Sequence, residues 1–351
     1  MLVQILAKSS LRVAVAIGLV GASFLPSCDA FGRERVAQPT VAVEHAPWTY
    51  QVRRTSQPPV FDGDLESGVW EDVAWTRDFR DIEGPTRPDP PFRTRVKMLW
   101  DDRHLYVACD MEETDLWATY DRRDMIVFHE NDFEVFIDPD GDGDEYYEIE
   151  INVLGTIFDL FLHRPYRLGG PAEHGWDSAG LGWAIRTRGT VNDPGDRDRG
   201  WTVELAIPFA DLRPPTVRED GSPWTLPPIA EHRRDPVPAV GDTWRINFSR
   251  VQWDLEVVGG GYRKIEGRPE HNWTWTPQWE INMHVPSRWG YLRFVDEGRF
   301  GPAAPAAVAI EQARSAASWS SEPAFHRRPS PPPGSRPGNL GTMWKCTCIT
   351  A

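Results

Sequence analysis

Three aspartates at alternate positions, Asp138, Asp140 and Asp142, followed by Gly143, sit in the middle of the stretch ENDFEVFIDPDGDGDEYYEIEIN (130–152). That spacing opens a calcium loop, which needs oxygen ligands at its first, third and fifth positions, Gly at the sixth and a bidentate Glu at the twelfth, between two helices. Here the twelfth position is Ile149, with Glu148 and Glu150 one residue to either side. The flanks alternate as strands do, so the stretch is not an EF-hand. A β-turn rich in Asp and Gly is the first reading, because these residues tolerate left-handed backbone. Calcium accepts flexible oxygen coordination, so Asp138, Asp140 and Asp142 stay as candidate ligands in another geometry.

The strands beside that turn carry their own chemistry. Alternation places Phe133, Val135 and Ile137 on one face and Glu134 and Phe136 on the other. Tyr147, Ile149 and Ile151 likewise oppose Glu148, Glu150 and Asn152. A face of carboxylates and an amide beside aromatic rings suits sugar hydroxyls, since carboxylates accept in two directions and amides both donate and accept. On pattern alone the plainer reading, a strand face in water, is the favoured one. The pairs Asp132 with Glu134 and Glu148 with Glu150 have backbone separations of about 7 Å, which allows either glycosidase geometry. Met283 and His284 are adjacent, and neighbouring strand residues point to opposite faces, so the two do not both reach one metal ion.

These residues need a β framework, and the composition provides for one. Seventeen Trp, 32 Pro and 29 Gly among 351 residues suit short strands joined by turns, with aromatics available to a binding surface. Val96, Met98 and Trp100 alternate, the chain turns at 101–103, and Leu105, Val107 and Cys109 alternate again, which is a hairpin signature. FEVFID and YYEIEIN form a second pair. FDLFLH, GWAIRTRG, TVELAIPF, TWRINFSRVQW and WGYLRFV follow, giving at least eight strands and an expected two-sheet antiparallel β-sandwich. The residues 209–212 predict a short helical turn.

The ends read differently. Lys8 and Arg12 precede VAVAIGLVGASFL (13–25), an apolar run of signal-peptide length and short for a membrane span. Residues 1–30 are therefore expected to be a leader and the protein exported: extracellular, periplasmic or held at the cell envelope. Leu25-Pro26-Ser27-Cys28 resembles a lipobox, in which Cys28 would take a lipid; cleavage after Ala30 competes with it. Residues 31–46 read as linker, 47–297 as the sandwich and 298–351 as a Pro-, Ala- and Ser-rich tail expected to be disordered. The net charge of -14 divides into +3 after residue 300 and -17 before it, which argues against nucleic acid or an anionic membrane as partner. Cys109 reads as a core residue, and Cys28, Cys346 and Cys348 make no disulfide framework.

Five motifs occur in an order that resembles a known family: VFDGDLESGVWEDVAW (60–75), VKMLWDDRHLYVAC (96–109), NDFEVFIDPDGD (131–142), EIEINVLG (148–155) and PSRWGYLRF (286–294). The sequence is similar to carbohydrate-binding module family 9, a DOMON-like β-sandwich, over roughly 57–296. The resemblance implies a non-catalytic domain that binds chain ends or small sugars between two aromatic rings, with a Glu, an Arg and amides on the hydroxyls and calcium supporting the fold. Glu134 matches the binding Glu and Asn152 an amide, while Glu150 stands where the family has Arg. One ring falls near Phe128. The other falls near Met283 or His284, or comes from Trp273, Trp275 or Trp279 in the stretch HNWTWTPQWEINMH (271–284). The expected carbohydrate site is thus Phe128, Glu134, Glu150, Asn152, Trp273, Trp275 and His284. The expected function is non-catalytic carbohydrate binding in polysaccharide catabolism, with a haem-binding redox domain and a glycoside hydrolase as alternatives.

Overall fold

The computed structural model describes residues 46–215, 217, 221–223 and 236–296. The expected leader at 1–30, the linker apart from Ala46, and the tail at 298–351 lie outside the described residues, with Cys28, Cys346 and Cys348.

In chain order the strands are β1 (Thr49–Arg54), β2 (Arg80–Asp81), β3 (Thr94–Trp100), β4 (His104–Met111), β5 (Asp132–Asp138), β6 (Tyr146–Asn152), β7 (Ile157–Leu162) and β8 (Ala172–Glu173). Then come β9 (Gly182–Thr187), β10 (Trp201–Pro208), β11 (Thr243–Gln252), β12 (Leu255–Val258), β13 (Gly261–Lys264), β14 (His271–Thr274) and β15 (Gly290–Val295). Helical structure among the described residues is confined to single 3-10 turns, one of them Phe209–Asp211.

Both expected hairpins form, and their turns explain why. At the β3–β4 turn the Asp101 carboxylate accepts the backbone N–H groups of Arg103 and His104 at 2.7 and 2.8 Å, an Asx turn that fixes the reversal. At the β5–β6 turn Asp138 accepts from Gly141 and Gly143, both at 2.9 Å. Those glycines have φ of 71° and 87°, a conformation open to Gly without a Cβ clash.

Hydrogen bonding runs along the path β8-β7-β6-β5-β11-β15-β1-β3-β4-β10-β9, with β14 on β11 and β2 on β14; β12 and β13 form a separate ribbon. The fold is all-β, as expected. Its main sheet is mixed, because β1 runs parallel to both β15 and β3 and so joins the two antiparallel halves into one curled sheet. Between the halves lies one apolar interior in which Phe133, Val135, Ile137, Tyr147, Ile149 and Ile151 meet Val96, Met98, Val107, Cys109, Val203 and Leu205. This burial is the main driving force for the fold. A smaller cluster of Ile82, Val127, Phe136, Tyr146, Met283 and Trp289 covers part of the other face of β5 and β6.

One charged group crosses the large core. Arg250, on the interior face of β11, donates to Glu113 Oε2 at 2.9 Å, to Gln252 Oε1 at 2.7 Å and to Thr94 Oγ1 at 3.0 Å, with both partners of the ion pair buried. A guanidinium in such a place needs each of those acceptors.

Candidate functional site

The register of β5 against β6 sets Asp132 opposite Asn152, Glu134 opposite Glu150 and Phe136 opposite Glu148. On the other edge of β5, Ser249 of β11 faces Glu134. Four carboxylates therefore share one face. Neither the solvated face nor the open sugar platform of the sequence reading describes them: Asp132, Glu134, Glu148 and Glu150 are 1, 5, 5 and 1% exposed.

Burial dominates their electrostatics. It pushes Glu134 up to about 7, with the Ser249 hydroxyl opposing. Asp132 is raised well above the usual carboxylate range by burial and then by the charge of Glu134, against the Val251 N–H. Burial and Glu134 raise Glu148 in the same way, and burial with Glu134, Asp132 and Glu148 raises Glu150. Their hydrogen bonds are few. Glu150 Oε2 accepts the Phe128 N–H at 3.1 Å, and Asp132 Oδ1 accepts the Val251 N–H at 3.2 Å. Oxygen atoms of Asp132, Glu134 and Glu150 all lie within 4.8 Å of one another.

The other expected residues divide. Phe128 is half-buried beside the cluster, and its carbonyl accepts the Trp253 indole N–H at 3.2 Å. Asn152 is committed to the backbone: Oδ1 accepts from Leu154 and Thr156 at 3.0 and 3.1 Å, and Nδ2 donates to the Tyr120 carbonyl at 2.8 Å. His284 lies further along the same face, where its Nδ1 pairs with the Tyr146 hydroxyl at 2.9 Å and burial lowers it to about 4. Met283 packs with Val127 and Phe136.

Trp273 and Trp275 do not join Phe128 around Glu134. Trp273 pairs with Arg250 and so points to the interior, whereas Glu134 pairs with Ser249 on the reverse face. The two indoles are 3 and 2% exposed. Trp275 is fixed against Phe248, at 5.9 Å between ring centroids, and Trp48, at 6.4 Å. The third tryptophan of that stretch, Trp279, takes a φ of 62° and lays its ring on the Cα of Gly84.

Trp273 does reach a different concavity. A cleft of about 590 Å³ opens at the β14–β2 edge, between the 87–92 loop, the end of β11 and the 265–271 segment. Phe92 packs edge-on to Trp273 with centroids 6.2 Å apart, His271 stacks on it at 6.0 Å, and Trp253 stands in the wall. Arg87, Glu83, Arg268 and Glu270 supply charged groups at the same cleft. Rings combined with a few polar groups are how small-molecule clefts are built. Sequence reasoning passed over Phe92, Trp253 and His271 because none of the five family-like motifs contains them; strand pairing brings them together.

The turn aspartates form a separate group. Oxygens of Asp138, Asp140 and Asp142 lie within 4.8 Å of one another, and Asp138 also accepts the two turn amides.

Residues 61–159 match the family described as carbohydrate family 9 binding domain-like. That segment is similar to a carbohydrate family 9 binding domain. The matched segment contains β2 to β6, one wall of the cleft and all four buried carboxylates, while Trp253, Trp273 and His284 lie beyond it. Endo-1,4-beta-xylanase A of Thermoanaerobacterium saccharolyticum is 25% identical over 156 residues, which make up 44% of this chain and 11% of that protein. A carbohydrate binding module family 9 from Caldicellulosiruptor kristjanssonii in complex with cellotriose is 15% identical, covering 73% of this chain and all of that one, with a TM-score of 0.42. Its complex with glucose gives 14%, 72%, 100% and 0.41 respectively.

Proposed function

We propose that this protein is a non-catalytic carbohydrate-binding domain whose sugar ligand lies in the cleft at the β14–β2 edge. The observation that carries this reading is that the segment matching the family 9-like domains supplies one wall of the cleft, from Asp81 to Asp115, facing Trp253, His271 and Trp273. A pyranose turns apolar C–H faces to aromatic rings and hydroxyls to the rim, which suits Phe92, Trp253 and His271 with Arg87 and Glu83 around them.

Calorimetric titration with glucose, cellotriose and other mono- and oligosaccharides tests this. Saturable binding that weakens about tenfold in Trp253→Ala is the expected result, the loss of roughly one stacking contact. A folded protein with no heat for any sugar would overturn it.

Export is part of the same proposal, with residues 1–30 as the leader and polysaccharide breakdown as the setting. The mass of the mature N-terminus tests it, distinguishing a lipid on Cys28 from cleavage after Ala30. At the β5–β6 turn, Asp138, Asp140 and Asp142 are the residues that would hold a calcium ion, since an oxygen bonded to a turn amide retains a lone pair for a metal.

A further inference from the structure

The least balanced charge among the described residues is on the reverse face of β5 and β6. Among those residues none of Asp132, Glu134, Glu148 and Glu150 forms an ion pair. Arg250, the nearest buried cation in the strand order, points into the interior on the opposite face of β11. Like charges placed directly opposite in a hairpin destabilise it, and buried charges are paired or bind metal.

A second observation points to a ligand. Asp132 Oδ2 is buried and has no hydrogen-bond partner, and Asp132 contributes to the oxygens gathered within 4.8 Å with those of Glu134 and Glu150. An unpaired carboxylate oxygen out of water costs more than almost any other buried polar atom, and the Asp132 carboxylate adjoins two further carboxylates.

We propose that Asp132, Glu134 and Glu150 hold a divalent cation, calcium, between β5 and β6, with Glu148 adding negative charge beside it. The donors are all oxygen, which selects a hard cation. Calcium binds carboxylates at about 2.3–2.6 Å in flexible geometry, so ligands across the ion stand up to about 5 Å apart, in keeping with the observed span. Magnesium keeps several of its waters, and a site this buried has little room for them. This site uses different residues from the turn aspartates and does not depend on the sugar reading.

The test uses the full chain, stripped with chelator, carrying Asp140→Asn and Asp142→Asn so that the turn aspartates are silent. Calcium should bind with measurable heat and raise the unfolding temperature. Adding Glu150→Gln or Asp132→Asn should weaken calcium by at least about 100-fold, because ligand charge sets calcium affinity over several orders of magnitude. Without calcium, Glu150→Gln should unfold no earlier than its parent, which shows that the loss is not misfolding. Absence of any calcium response in the turn variant would overturn the proposal, as would a response retained in both carboxylate variants. An equal or stronger response to magnesium would overturn the choice of calcium.

Discussion

Glu134 on β5 stands directly opposite Glu150 on β6, carboxylate beside carboxylate, on a face closed to solvent. The consequence is a stability that depends on protons. Glu134 binds its proton up to about 7 in the folded state, against an ordinary value near 4.3 when unfolded. The folded chain therefore holds more protons than the unfolded one across that window. Stability is greatest below the unfolded value and is lost as pH rises through about 7. Asp159, pushed up to about 6 by burial, acts with the same sign. In chelator, the urea midpoint is expected to fall between pH 5 and pH 7.5. Glu134→Gln should flatten that slope in part, leaving the contributions of Asp132, Glu148 and Glu150.

The Arg250–Glu113 pair makes an opposite kind of prediction. Both side chains are satisfied and buried, so breaking the pair from one side leaves a charge without its partner. Glu113→Gln or Arg250→Met should each cost roughly 3–5 kcal/mol. The double variant Glu113→Leu, Arg250→Met should recover much of that, because no charge is left behind. Denaturant unfolding of the three proteins measures the coupling.

Trp273 and Trp253 line the same cleft and should respond differently. Trp273 packs in the core against Phe92 and under Arg250, so Trp273→Ala should destabilise by about 3–5 kcal/mol. Trp253 is half-buried in the wall, so Trp253→Ala should act mainly on sugar affinity. Calorimetric unfolding and sugar titration on both variants separate the two effects.

Asn152 is predicted to be a stabilising residue of the β6–β7 turn. Asn152→Ala removes the acceptor for Leu154 and Thr156 and the donor to Tyr120, and should cost about 1–3 kcal/mol through buried groups left unsatisfied. Sugar affinity per folded molecule should be unchanged, as fluorescence unfolding followed by calorimetry would show.

Much of the fold was readable in the chain itself. Period-two alternation with Asp- and Gly-rich turns marked β3 with β4 and β5 with β6, since strand geometry sends successive side chains to opposite faces. The same rule correctly sorted Phe133, Val135 and Ile137 from Glu134. It also marked Cys109 as interior. What it could not express is what lies over the second face. Alternation distinguishes two sides of a strand but not whether the polar side meets water or other protein, and so the carboxylates looked exposed.

The aromatic residues show the same limit. HNWTWTPQWEINMH offered three tryptophans near the expected sugar position, yet pairing of Trp273 with Arg250 turned two of them inward. Local sequence determined the β class, the hairpins and the acidic character of one strand pair, because these depend on backbone preference and short-range periodicity. Tertiary structure decided that β1 joins the halves in parallel, that four carboxylates are buried without a counter-charge among the described residues, and that Phe92, Trp253 and His271 share a cleft. Those outcomes depend on which distant strands lie side by side, and that is settled by burying the whole interior at once rather than by any one segment.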